Sequence, residues 1–213
     1  MRTAACLFSG GKDSVFSAWW AISQGFAVSL LTIQSGEYSM MFHHPNIEFT
    51  KMQAESMGVP HSILSTNKEN ELADMEKELK RMGADAIISG AVASEYQKQR
   101  IEQIGENLGI PTYSPLWHKG EALLEEMLEN FEIYTVAVSA DGLGPEFLGK
   151  PFSELVKKNA KGIHPFLEGG EGETFVADAP FFNKRIVIDE WENNWDGVRG
   201  VARISKAHFA DKN

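Results

Sequence analysis

The chain has 213 residues, 43% of them apolar and 23% charged, which is ordinary for a globular protein with a real core. With 20 Lys plus Arg against 30 Asp plus Glu, its net charge of −10 counts against broad contact with nucleic acid. The single cysteine, Cys6, excludes a disulfide framework or a zinc cluster; no stretch approaches the roughly 20 apolar residues of a membrane span, and no signal-peptide core precedes Gly10, so a cytoplasmic protein is expected.

Thr3 to Phe8 reads as a buried strand, Asp13 to Gln24 as a helix closed by Gly25, and Ala27 to Ile33 as a second strand. Helical spacing returns over Ile47 to Met57, followed by a short strand at His61 to Ser65 and a charged helix from Glu69 to Met82. Ala86 to Ser89 is strand-like, Glu95 to Leu108 is a helix with Ile101, Ile104 and Leu108 as its apolar stripe, and Ile110 to Tyr113 is a last short strand. This alternation predicts an α/β fold, an open and mostly parallel sheet with helices on both faces. After Trp117 the texture changes: helix Glu121 to Glu129, strand Glu132 to Val138, a turn-rich stretch, a short helix over Phe152 to Asn159, and strands at Thr174 to Asp178, Arg185 to Trp191 and Val198 to Ile204. A boundary near Trp117 to Glu121 divides a domain of residues 1–118 from a smaller α+β domain of residues 119–213.

The chemistry starts at "LFSGGKDS", Leu7 to Ser14. It is not a Walker A loop, which would need Gly at Cys6 and Ser or Thr at Asp13, and it does not fit a dinucleotide G-x-G-x-x-G. In an open α/β sheet, however, the turn after the first strand offers helix N–H groups to an anion. Gly10 and Gly11 let the backbone approach, Ser9 and Ser14 add hydroxyls, and Lys12 adds positive charge. Asp13 beside a polyphosphate calls for a bridging cation such as Mg²⁺. The plainer alternative is an ordinary turn with a solvated Lys-Asp pair.

The hexapeptide resembles the PP-loop of N-type ATP pyrophosphatases, which cleave ATP between its α and β phosphates. That resemblance implies adenylylation of a substrate oxygen followed by attack of a nitrogen or sulfur nucleophile. Met1 is followed by Arg2 rather than by a catalytic cysteine, which excludes class II glutamine hydrolysis, and a lone Cys6 disfavours a persulfide relay. Free ammonium then becomes the expected nitrogen source.

Two further stretches bear on the acceptor. In "SGAVASEYQKQRIE", Ser89 and Gly90 end a strand, and Tyr96 and Arg100 lie one helical turn apart with Gln97 beside them. An exposed Arg100 paired with Glu95 or Glu102 is the plainer account. In "EGGEGETFVADAPFF", Glu168, Glu171 and Glu173 interleave with Gly169, Gly170 and Gly172. Such a loop suits a metal or a quaternary ammonium group, although an acidic surface turn would read the same.

Taken together, "SGGKDS", "GAVASEYQKQRIE" and "EGGEGETFVADAPFF" resemble the diphthine–ammonia ligase family, with "EYSMMFHHPNIEFTKMQAESMGVP" and "PLWHKG" in the expected order. The resemblance implies a cytoplasmic ligase using ATP, Mg²⁺ and ammonium to amidate diphthine on translation elongation factor 2, through an acyl-adenylate, releasing AMP and pyrophosphate. It implies that Ser9, Gly10, Gly11, Lys12, Asp13, Ser14, Ser89 and Gly90 hold ATP, and that Tyr96, Gln97, Arg100, Glu168, Gly169, Gly170, Glu171, Glu173 and Thr174 meet the acceptor. Lys12, Asp13 and Arg100 are the expected catalytic residues, with Asp13 on the metal. One position departs, since the family usually has an aromatic where Gly172 stands. His43 and His44 fall in a family-like segment with no spacing that demands a role. An ATP-dependent tRNA modifier and a nucleotide-sensing module stay open as alternatives.

Overall fold

A computed structural model describes residues 1–35, 45–139, 143–158 and 161–212; His43, His44 and Asn159 lie outside them. Strand β1 (Thr3–Leu7) leads into helix α1 (Lys12–Ser23), then β2 (Ala27–Gln34), a 3-10 turn at Ile47–Phe49, α2 (Thr50–Met57) and β3 (His61–Ser65). There follow α3 (Glu71–Met82), β4 (Ile87–Ile88), α4 (Glu95–Leu108) and β5 (Thr112–Tyr113). These five strands form a parallel sheet in the order β3-β2-β1-β4-β5.

Alternation along the central strands feeds two cores. Ala4 and Cys6 of β1 and Val28 and Leu30 of β2 face α1 and α2, where Val15, Phe16, Ala18, Ala54 and Met57 are buried. Ala5, Leu7, Leu31 and Ile33 face the other way, onto Met75 and Leu79 of α3 and Ile101 and Ile104 of α4. The expected parallel sheet with helices on both faces is what the chain forms. Helices α2, α3 and α4 each end on a glycine in the left-handed region, Gly58, Gly83 and Gly109.

Beyond residue 118 come α5 (Glu121–Asn130), β6 (Glu132–Val138), a 3-10 turn at Pro145–Phe147, α6 (Phe152–Lys158), β7 (Gly172–Asp178), β8 (Lys184–Trp195) and β9 (Gly200–Asp211). The last four strands make an antiparallel sheet ordered β7-β6-β9-β8. The final hairpin is longer than its alternation predicts: β8 runs on to Trp195, and β9 begins at Gly200 rather than Val198. Register shifts around Glu190 break the period of two. Val198 sits in the turn, where Asp196 Oδ1 accepts from the amides of Val198 and Arg199 at 2.8 and 2.7 Å.

One apolar cluster runs from Ala4, Val15 and Phe16 through Phe131, Val136 and Phe175 to Ile204, so the two sheets share a core. Aromatic rings mark the seam. Trp19 stacks on Phe181 at 6.2 Å and meets Phe131 edge-on at 6.0 Å.

Candidate active site

Chain order reverses between β1 and β4, which are neighbours although β2 and β3 intervene in sequence. The loops after these two strands therefore diverge and leave a crevice at the carboxyl edge of the sheet. Strand β7 of the second sheet lies across it. The resulting cleft has a volume of about 300 Å³ and is lined from three sides, by Ser9 and Gly11 to Ser14, by Ser89 to Ala91 with Ser94 and Gln97, and by Phe166 to Glu168 with Gly170 and Gly172 to Thr174.

The first wall is the turn between β1 and α1. Gly10 takes φ +81°, the left-handed conformation that glycine permits. Gly11 caps α1 with extended backbone and no side-chain hydrogen bond. Ser14 Oγ donates to the Gly11 carbonyl at 3.0 Å and accepts from the Ser9 amide at 3.2 Å, closing the turn on itself. Gly11 offers no side chain to the first amides of α1, and a helix N-terminus at the switch point is a site for anions.

Lys12 points inward. It is 2% exposed, and its Nζ lies 2.7 Å from Asp13 Oδ2 and 2.7 Å from the Phe166 carbonyl, beside the rings of Phe152 and Phe166. Asp13 Oδ1 is buried without a hydrogen-bond partner among the described residues. Burial pushes the Asp13 carboxyl above its ordinary value; Lys12 opposes that rise and Glu173 adds to it.

On the second wall, Gly90 permits a close approach: a Cβ there would lie 3.0 Å from the Asp13 carbonyl carbon and the Ser14 nitrogen. The buried Ser89 Oγ accepts from the Ala91 amide at 3.1 Å. Ser94 caps α4 through the Gln97 amide. Gln97 lines the cleft, but Tyr96 and Arg100 do not. The Arg100 guanidinium stacks 3.3 Å over the Tyr96 ring, and Tyr96 is 42% exposed.

The third wall is the glycine-rich segment. Glu168 and Glu173 face the cleft, and Glu168 Oε2 accepts from the Ala93 amide at 3.3 Å. Burial and then the nearby Asp13 charge push the Glu168 carboxyl up to about 7. Glu171 turns away: it is buried, outside the cleft lining, and its Oε1 accepts from the His164 amide at 2.8 Å. Gly169 faces that same carboxylate, since a Cβ there would lie 2.6 Å from Glu171 Oε1. Thr174 Oγ1 accepts from the Lys12 amide at 3.1 Å, which fastens β7 to the anion loop.

Family models match both parts of this architecture, "Diphthamide synthase N-terminal domain" over residues 1–112 and "Diphthamide synthase C-terminal domain" over residues 119–209. The chain belongs to the diphthine–ammonia ligase family. Among relatives that carry the ligase name, the Danio rerio protein is 31% identical over 97% of this chain and 96% of its own length. The Rattus norvegicus ligase is 32% identical and the Homo sapiens ligase 30% identical, each over 100% of this chain and 94% of its own length. A solved structure from Methanocaldococcus jannaschii, titled a predicted subunit of tRNA methyltransferase, shares the fold at TM-score 0.51 and 18% identity, covering 84% of this chain and 98% of its own.

Of the residues that the ligase resemblance implies, the cleft gathers Ser9, Gly11, Lys12, Asp13, Ser14, Ser89, Gly90, Gln97, Glu168, Gly170, Glu173 and Thr174. Gly10, Tyr96, Arg100, Gly169 and Glu171 lie outside its lining. Leu31 and Ile33, at the carboxyl half of β2, and Ser94, Phe166 and Leu167 join it without having been singled out from sequence. For β2 the signal was available, because the switch-point rule applies to the end of the strand beside β1 as well.

Proposed function

We propose that this chain is the ATP-dependent ligase that converts diphthine on translation elongation factor 2 to diphthamide with ammonium, releasing AMP and pyrophosphate. The observation that carries the reading is the pairing, across one cleft, of the Ser9–Ser14 loop at the N-terminus of α1 with the carboxylates of Glu168 and Glu173. The first suits phosphate and the second suits the trimethylammonium of diphthine. Membership of the family gives the C–N ligase class.

In this reading Ser9, Gly11 and Ser14 hold the β and γ phosphates through backbone and hydroxyl groups, while Leu31, Ile33 and Ile101 supply an apolar floor for the rest of the nucleotide. Glu168 and Glu173 draw the quaternary ammonium, which aligns the diphthine carboxylate with the α phosphate, so positioning carries much of the rate. Lys12 counters the charge that builds on departing pyrophosphate, for which its ammonium leaves the Phe166 carbonyl. Ammonia then displaces AMP from the acyl-adenylate carbonyl. Tyr96 and Arg100, stacked outside the cleft, belong to the surface that meets the acceptor protein rather than to the reacting atoms.

Asp13 fits Mg²⁺. Its Oδ1 is a buried carboxylate oxygen that lacks a donor among the described residues, and magnesium is commonly held by one or two carboxylates together with substrate phosphates. Among the described residues there is no cluster of three or more His, Cys, Asp or Glu that would cage a metal by itself. Asp13 would therefore hold the ion, which supplies charge neutralisation at the phosphates. The division at residues 118 and 119 goes with this reading, the first domain for ATP and the second for diphthine. So does a cytoplasmic location; no helix among the described residues is long and apolar enough to cross a membrane.

The test is incubation with ATP, Mg²⁺ and ammonium, with and without elongation factor 2 bearing diphthine, identifying the nucleotide product and weighing the acceptor. AMP that forms only with acceptor, together with an acid-to-amide mass change, is expected. ADP or no turnover would reject the mechanism.

A further inference from the structure

Helix α2 and the turn before it carry a buried polar seam that none of the chemistry above uses. Asn46, Gln53 and Ser56 are 1%, 0% and 2% exposed, and each one hydrogen-bonds backbone of the C-terminal sheet. Asn46 donates to the Ala202 carbonyl at 2.9 Å and accepts from the Ile204 amide at 2.7 Å. Ser56 bonds the carbonyl and amide of Lys184. Gln53 differs from both, because its Nε2 donates to the Val176 carbonyl of β7 at 2.7 Å and also to the Gly10 carbonyl at 2.9 Å. Two carbonyl acceptors fix which end of the amide is nitrogen, since the flipped amide would set oxygen against oxygen.

Gly10 is therefore held from two sides. Its carbonyl also accepts from the Val176 amide at 3.0 Å, and a Cβ on Gly10 would lie 2.4 Å from Gln53 Oε1. We infer that Gln53 is a positioning residue for the nucleotide loop: it sets the Gly10 peptide against β7, so that the loop amides and the diphthine-facing segment keep one spacing. This inference rests on the reading that Ser9 to Ser14 hold ATP. Loss of the Gln53 side chain's two buried hydrogen bonds, one to Gly10 and one to Val176, should be felt as weaker nucleotide binding, whereas loss of Ser56, which ties α2 to β8 away from the loop, should affect stability only.

The experiment compares Gln53→Met with Ser56→Ala in the full chain, measuring affinity for α,β-methylene-ATP and the KM and kcat of amidation. For Gln53→Met the expected result is a rise of about tenfold in Kd and in KM for ATP, the weight of one or two buried hydrogen bonds, with kcat per bound nucleotide little changed. Ser56→Ala should melt earlier at native affinity. Equal nucleotide affinity in the two folded variants and the parent would overturn the inference alone; a parent that binds no analogue would overturn the functional reading and this inference with it. Should Gln53→Met not fold, the side-chain amide signal of Gln53 in ¹⁵N-labelled parent decides. A shift on saturation with the analogue is expected, and an unmoved signal overturns the inference.

Discussion

Lys12 joins the loop it belongs to with the segment opposite, through one ammonium shared by Asp13 and the Phe166 carbonyl. Lys12→Met keeps most of the buried stem and removes the charge, leaving Asp13 a carboxyl already raised by burial and now without its cation. Turnover in the acceptor assay should fall by about 10²-fold or more, with a lower melting temperature. A folded variant of native kcat would leave Lys12 only a tie between two loops. Glu168 gives a pH signature. Its folded value of about 7 stands above the ordinary 4.5, so between those limits the native state binds the extra proton, and the stability contribution lapses as pH rises. Glu168→Gln, which resembles the protonated form, should therefore gain in melting temperature over the parent from pH 5 to pH 7 and hold that gain above. A gain independent of pH would contradict burial and the Asp13 charge as the cause. These two side chains were legible from the residue types in "SGGKDS" and "EGGEGETF". Which of the interleaved glutamates faces the cleft was not, because no period in that segment separates Glu168 and Glu173 from Glu171, whose carboxylate staples the His164 amide. Tyr96 and Arg100 fail as cleft residues for a related reason: a separation of four fixes a shared helix face, but not where that face looks.

At the scale of elements, β7 is both the edge of the antiparallel sheet and a wall of the cleft. Its first residue is crowded, since a Cβ on Gly172 would lie 2.5 Å from the Ala137 carbonyl oxygen at a register shift between β6 and β7. The aromatic side chain that the family resemblance leads one to expect has no room on this backbone. Gly172→Ala should cost about 1–3 kcal/mol in urea denaturation, with the neighbouring strand forced to shift. A neutral change would mean that the bulge at Ala137 yields. The central parallel strands β1, β2 and β4 were readable because both of their faces are buried and their apolar runs are short and continuous. The last hairpin was only half readable. Glu190, Glu192, Asn193 and Asn194 are exposed and interrupted by bulges, so neither alternation nor hydrophobicity marks how far β8 extends.

At the scale of the molecule, residues 1–118 close by themselves only the core under α3 and α4; the core under α1 and α2 is completed by the second half of the chain. Phe16 and Trp19 pack against Phe131 and Phe181, and the polar seam of α2 ends on β7, β8 and β9. The full chain should unfold in one transition, with calorimetric and van't Hoff enthalpies equal, while a fragment of residues 1–118 should be poorly soluble and bind no nucleotide. Two separate melting steps, or a soluble fragment that binds ATP, would show that the halves are independent. Nothing in a linear reading could reveal this dependence, since Gln53 and Val176 are 123 positions apart.

The hydrogen bond from the Val176 amide to Gly10 has a consequence in time. During synthesis, the loop that begins at Ser9 emerges long before β7, the strand that holds the Gly10 carbonyl. A growing chain would thus carry the nucleotide motif long before it can present the finished site. Nucleotide capture on the ribosome should begin abruptly, after β7 has cleared the exit tunnel, rather than when the first domain appears.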